Sequence, residues 1–212
     1  MLSSREGITD ENSLGFKFAM HKEIFVQAVA NMGPLSLPLM VQVYSGYSEP
    51  LSGLEIAGWL LWLSSLVFEH SADKQKKNFI KKCAEKKLSG EVCDVGLWSY
   101  CRHPNYFGEW MVWNSLIITS IPAMLFILSS SHFHFLVKVR DTDPHPPPHL
   151  QPVHCQMLLL PGAGSISYVM YQCLVHYTGA RPAEYFSSKS RPGYAQYQAR
   201  VNMFIPGPPK QV

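Results

Sequence analysis

Charged residues are missing from four long stretches of this chain. Asp, Glu, Lys and Arg do not occur in residues 24 to 48, 56 to 68, 110 to 137 or 144 to 180. A helix rises about 1.5 Å per residue and the hydrocarbon core of a bilayer is about 30 Å thick, so about 20 apolar residues cross it. Four membrane segments are therefore expected: Ile24 to Tyr44, kinked or broken at Pro34 and Pro38; Leu51 to Phe68, with Glu55 near its start; Trp110 to Ser129, with Pro122 inside; and Ser165 to Tyr177, extended back through Met157 to Leu160 and interrupted by Pro161, Gly162 and Gly164. The expected class is an all-α, polytopic transmembrane helical bundle with cytosolic cofactor-binding loops. Overall charge is only 16% of residues, against about 25% in soluble domains, and the shortfall is confined to these stretches. A mean hydropathy of -0.01 averages over the two kinds of region and so conceals them.

The remaining charge fixes an orientation. Residues 69 to 94 carry seven lysines, at 74, 76, 77, 81, 82, 86 and 87, which the positive-inside rule places in the cytosol. Two further crossings return the C-terminal tail, with Arg181, Lys189, Arg191, Arg200 and Lys210, to the same side. The hairpin of the first two segments puts residues 1–23 there too, and that stretch lacks the basic-then-apolar pattern of a signal peptide. The organisation expected is a cytosolic segment 1–23, membrane helices 24–128 with a cytosolic loop 69–109, a Pro/His-rich insertion 129–163 and a last membrane helix with cytosolic tail 164–212. The net charge of +3 is too small and too balanced for a nucleic-acid binder. Cys83, Cys93, Cys101, Cys155 and Cys173 form no Cys-x-x-Cys pair and are expected as reduced thiols.

Chemistry-bearing side chains concentrate in the run from Gly96 to Glu109, directly ahead of the third segment. Pro104 suits the first turn of a helix because it has no N–H to leave unpaired. The free donors that follow it, with Arg102 beside them, form an anion site in one reading. In the other, they are a capped helix end with Arg102 on lipid phosphate and Glu109 paired to it. Asn105 and Glu109, four apart, share a helix face.

Three ordered blocks resemble the C-terminal domain shared by steroid 5-alpha-reductases, sterol C14/C7 reductases and the related DUF1295 group. The first is Glu69-x-x-x-Asp73-x-Gln75-Lys76-x-x-Phe79. The second is Leu97-Trp98 followed by Arg102-His103-Pro104-Asn105-Tyr106 and Gly108-Glu109. The third is Pro182-Ala183-Glu184, then Arg191-Pro192-Gly193-Tyr194-x-x-Tyr197 and Phe204-Ile205-Pro206. The resemblance covers about residues 20 to 128 and 165 to 209.

That resemblance implies a membrane reductase, resident in the endoplasmic reticulum, that binds NADPH from the cytosol and transfers hydride to a C=C bond of a steroid, sterol or related lipid. Carried over by position, Lys76 meets the 2′-phosphate or diphosphate and Trp98 packs against the cofactor. Arg102, His103, Asn105 and Tyr106 line the phosphate and ribose path, and Glu109 holds the nicotinamide end or a ribose. Glu184, Arg191, Tyr194 and Tyr197 close the adenosine side. No Gly-x-Gly-x-x-Gly turn is present, so the vehicle is not a Rossmann domain.

Blander readings stand beside each block. Glu69, Asp73 and Lys77 fall at helical spacing and make a salt-bridged stripe. The segment Arg191 to Arg200 makes an interfacial helix anchored by Tyr194 and Tyr197. Arg-His-Pro-x-Tyr also occurs in membrane methyltransferases that use S-adenosylmethionine, for which a 2′-phosphate partner has no purpose; a non-catalytic lipid-binding protein is the third alternative. The upstream helices that complete the family's substrate pocket have no counterpart in the 23 residues ahead of the first segment, so no proton donor is carried over. The stretch 129–163, with His132, His134, His145, His149 and His154 among prolines, is expected as a disordered insertion without metal-site spacing.

Overall fold

A computed structural model of the chain describes His21, Phe25 and residues 34–45, 47–128, 153–177 and 179–211. Its elements there are helices, with no strand among the described residues. A 3-10 turn, Pro34–Ser36, leads into α1, Leu37–Tyr44, with Pro38 in its first turn. Pro34 and Pro38, expected to kink or break the first segment, stand at the start of this helix, and most of the rest of that segment lies outside the described residues.

Helix α2, Gly53–Glu85, is the longest element. Ser52 caps it reciprocally: its hydroxyl accepts the Glu55 N–H at 3.3 Å and the Glu55 carboxylate accepts the Ser52 N–H at 2.8 Å, which satisfies two end donors at once. The helix runs without a break from the apolar stretch into the lysine-rich one. The expected loop 69–109 is therefore helical as far as Glu85, because nothing between Phe68 and Glu85 breaks a helix. A 3-10 turn, Gly96–Ser99, follows, then α3, Pro104–Leu128, which begins at the proline expected to start it.

The packing of α2 against α3 is inverted relative to a soluble protein. Buried positions on α2 are Gly58, Ser65 and Ala72, spaced by seven, while Leu60, Leu63 and Val67 are exposed. On α3 the buried set includes Gly108, Ser115 and Thr119. A Cβ on Gly58 would lie 2.9 Å from the Thr119 backbone nitrogen, and one on Gly108 would lie 2.8 Å from the Glu69 Cβ. Small residues therefore bring the helices to backbone contact at both ends, the pattern by which helices associate when the surroundings are as apolar as leucine. Helix α3 is long and apolar enough to cross a membrane, with a mean hydropathy of 1.9 over its apolar window. Only 28% of that window is buried, unlike the core helix of a soluble protein. It is the one such helix among the described residues.

Helix α4, Val153–Gln172, corrects the expectation for the last segment. It runs through Pro161, Gly162 and Gly164 without interruption, and it takes the last residues of the expected insertion into helix; residues 129–152 lie outside those described. The small residues serve packing. A Cβ on Gly162 would lie 2.7 Å from Leu37 Cδ1, and Ala163 is buried with Val41, Ala123 and Ile127. A π-turn, Cys173–Tyr177, connects α4 to α5, Ala180–Ser190, and α6, Tyr194–Arg200, follows. Phe204 returns the tail to the core, where it packs with Ile166, Met170 and Leu174 and meets the rings of Trp110 and Tyr171.

Candidate functional site

The three sequence blocks meet at one end of the α2–α3 pair. Gly108 lets α3 approach α2 at Glu69, and this sets the second block against the first. Trp98 is buried with its indole N–H donated to the Ala72 carbonyl at 2.9 Å. Beside it the Leu97 N–H donates to Gln75 Oε1 at 2.8 Å. Gly96 has a positive φ of 58° and its absent Cβ leaves room for that same Gln75 side chain, so glycine is required there. The third block joins through Tyr197, whose hydroxyl donates to the Trp98 carbonyl at 2.5 Å.

Glu184 on α5 is the centre of a closed polar hub. Arg102 donates from Nε to Glu184 Oε1 at 2.6 Å and from Nη2 to Oε2 at 3.2 Å, the planar two-point pairing that suits arginine. Its Nη1 bonds the carbonyls of Gln198 at 2.8 Å and Val201 at 2.6 Å. Gln198 Nε2 adds a third donor to Glu184 at 2.8 Å, and His103 Nε2 lies 3.2 Å from Oε1. Burial alone would raise the Glu184 carboxyl, but the donors of His103, Arg102 and Gln198 overcome it and hold the group at about 2. Burial lowers His103 despite the Glu184 bond, so a neutral imidazole donating through Nε2 accounts for both shifts. Tyr106 stacks on that imidazole, with planes 2° apart and centroids 5.4 Å apart.

A second polar group, on α2 and α3, is unpaired. Glu109 lies within electrostatic reach of Glu69 and Asp73, and the three carboxylates have no hydrogen-bond or ion-pair partner among the described residues. Next to them, Asn105 Oδ1 is buried with no hydrogen-bond partner. An orphaned acceptor of this kind costs about 1–3 kcal/mol, which a ligand carrying an N–H or O–H recovers. Among the described residues no group of three or more His, Cys, Asp or Glu is placed to hold a metal ion.

Two cations meet on the other side of Trp98. Lys76 Nζ lies 4.0 Å from the centroid of the Trp98 ring, and with Arg191 and Cys93 it lines a cavity of about 240 Å³. Burial, followed by the Arg191 guanidinium, lowers the Lys76 ammonium below its ordinary value. Two neighbouring cations at one cavity suit an anion between them. Gly90 and Glu91 also belong to the wall of a larger groove of about 920 Å³ between residues 89–94 and α6. Burial raises the Cys93 thiol, and raises that of Cys101 to about 11, so both remain protonated.

The expected site residues thus divide. Arg102, His103 and Glu184 are joined to one another, and the guanidinium expected on a phosphate is engaged by the protein itself. Glu109 is not among its partners. Lys76 and Arg191 come together in the cationic cavity. Asn105, Tyr106 and Glu109 lie together on the first turns of α3, each half-buried, with the Asn105 Oδ1 buried. Trp98 is 2% exposed with Lys76 across its face, so it supports the site from beneath. Tyr194 and Tyr197 are buried with Val201, which overturns the reading of Arg191 to Arg200 as a helix anchored by tyrosines at a bilayer surface. Burial raises both phenols, Tyr194 to about 12. The salt-bridged stripe is also absent among the described residues, since Glu69 and Asp73 turn towards α3. Gln198 went unnoticed because nothing marks an isolated glutamine seven residues past Arg191. Gln75 stood in the quoted first block but was given no role.

A family model described as DUF1295, a protein of unknown function, matches residues 10–140, more than half of the chain. The chain belongs to the DUF1295 family. That family is one of steroid 5-alpha-reductase-like membrane proteins, and the match takes in the first two blocks, from Glu69 to Glu109. No curated protein and no solved structure matches the chain.

Proposed function

We propose that this DUF1295 chain is a membrane-embedded, NADPH-dependent reductase of a C=C bond in a steroid, sterol or related lipid. The observation that carries the reading is the division of the site on α2, where Glu69, Asp73 and Lys76 fall on one face and span about 10 Å at 1.5 Å per residue. One end presents the Lys76 and Arg191 cations at a cavity. The other presents acceptors: Glu109, Glu69, Asp73 and the orphaned Asn105 Oδ1. A dinucleotide phosphate has this same polarity, with anionic phosphates at one end and hydroxyls and a carboxamide N–H₂ at the other. The residues therefore fit the cofactor, and when bound it supplies the hydride. Lys76 and Arg191 bind its phosphate, Asn105 and Glu109 orient the donor-bearing end, and the Glu184 hub holds the third block against the second.

The exposed apolar residues of α2 and the weakly buried α3 support the bundle of about four membrane segments. The lysines of α2 support placing the cofactor face in the cytosol; the endoplasmic reticulum as the membrane rests on the family resemblance alone. The cationic cavity favours NADPH over S-adenosylmethionine, which carries no phosphate.

Equilibrium binding to the purified chain in detergent tests this. The expected result is NADPH binding in the micromolar range, no binding of S-adenosylmethionine, and selective loss of NADPH over NADH affinity in Lys76→Gln and Arg191→Gln. Binding of S-adenosylmethionine alone would replace the reductase with a methyltransferase, and binding of neither would leave a non-catalytic lipid-binding protein.

A further inference from the structure

Helix α5 has two unlike faces. The inner face carries Glu184, which is tied to Arg102 and His103 immediately ahead of α3. The outer face carries Arg181, Tyr185, Lys189 and Phe186, all exposed, and at 3.6 residues per turn these four fall within an arc of about 140°. The helix's single acid, Glu184, is the residue turned inward, so the outer face is cationic and aromatic with no opposing charge. Lys189 Nζ lies 4.2 Å from the Tyr185 ring centroid and donates to the Tyr185 hydroxyl at 2.6 Å, which gathers charge and ring at one place. Tyr185 and Phe186 are 57% and 45% exposed, a cost that a wholly aqueous surroundings would leave unrecovered.

Two observations locate this face relative to α3. The Glu184 bonds hold α5 level with residues 102–103, one residue before the membrane-capable α3 begins at Pro104. The chain also turns sharply out of α4 to reach α5. At Gly179 a Cβ would overlap the Leu174 carbonyl, so only glycine permits the corner. An aromatic and basic helix face at the mouth of a membrane helix sits where rings meet headgroups and cations meet lipid phosphates.

We propose that the outer face of α5, through Arg181, Tyr185, Phe186 and Lys189, is an interfacial anchor that binds anionic phospholipid headgroups and thereby sets the depth of the Glu184 hub. This rests on the membrane reading above and is independent of the cofactor. It also returns the interfacial helix expected at Arg191 to Arg200 to the neighbouring helix, where the aromatic residues are outside.

The test is hydrogen exchange of residues 180–190 in the full-length chain, reconstituted in nanodiscs of phosphatidylcholine alone or with phosphatidylserine. Co-elution with the discs separately reports insertion. Exchange is expected to slow in the anionic discs by about fivefold for each cation engaged, the equivalent of about 1 kcal/mol. High salt and the double variant Arg181→Ser/Lys189→Ser should abolish the difference while exchange in α3 stays unchanged, and Tyr185→Ser/Phe186→Ser should speed exchange in both lipids. Equal exchange in the two lipids would overturn the proposal. So would protection that grows with protein concentration, which would assign the face to a second copy. A chain that fails to enter the discs would overturn the anchor and the membrane reading together, whereas NADPH binding without lipid-dependent protection would overturn the anchor alone.

Discussion

The hub around Glu184 and the face around Glu109 share the second sequence block, the hub joining it to the third and the face joining it to the first, yet they end in opposite states. Glu184 accepts from Arg102, Gln198 and His103 and is driven well below the ordinary carboxylate range. Glu109, Glu69 and Asp73 accept from nothing among the described residues, and Asn105 beside them keeps a buried oxygen unpaired. A satisfied buried network gives rigidity and uniqueness, whereas an unsatisfied one stores cost until something binds. Motif membership alone thus does not separate holding from binding: Arg102 and Asn105 are three residues apart and lie on either side of that division.

The comparison breaks most visibly at Arg102. Arg102→Ala leaves Glu184 and two backbone carbonyls without their guanidinium, and a buried pair that loses one partner costs about 3–5 kcal/mol. We expect a lowered melting temperature with or without NADPH. A variant that melts normally but loses cofactor affinity would move Arg102 to the binding side.

Acid should act on the hub next. A carboxyl depressed from 4.5 to about 2 contributes stability that is present above its unfolded value and lost as pH falls through its folded value, here about 3 kcal/mol in all. His103, lowered by burial from 6.5, works in the same direction, since below about 6.5 the unfolded chain takes up a proton that the folded hub refuses. Melting temperature should therefore fall from near pH 6.5 downwards and steepen below 4.5, and Glu184→Gln should flatten the lower limb. A profile independent of pH across that window would mean the hub is not closed.

Gly108 links the two regions, because it sets α3 on α2. Gly108→Ala places a methyl group against the Glu69 backbone, 3.1 Å from its Cα, and overpacking of this kind costs about 1–3 kcal/mol. Gly53→Ala meets nothing within 4 Å and should change stability by no more than about 0.5 kcal/mol. Equal melting temperatures for the two variants would contradict the close approach.

Much of this was legible in the sequence. Pro104 marked the start of α3 and the spacing of Asn105 and Glu109 marked one face, because both follow from local backbone geometry. The three blocks also named most of the residues that meet. What the sequence withheld was partnership. Nothing in the spacing of Arg102 says that its acceptor is Glu184, 82 residues on, since tertiary approach decides that. For the same reason Tyr194 and Tyr197 read as surface anchors when they are core, and Tyr185 and Phe186 attracted no notice. Pro161, Gly162 and Gly164 read as breakers because their local cost is visible in sequence, while the packing of Gly162 on Leu37 that offsets it is not.

The central claim is that the hub holds and the open face binds, and Asn105 tests it most directly. Asn105→Leu removes the orphaned oxygen, so calorimetric titration with NADPH and a thermal melt of the same sample should show affinity at least about tenfold weaker, about 1.4 kcal/mol, with a melting temperature equal to or above that of the parent chain. An Asn105→Leu chain that melts lower and binds NADPH unchanged would show that the oxygen serves the fold, and the assignment of the open face to the cofactor would be wrong.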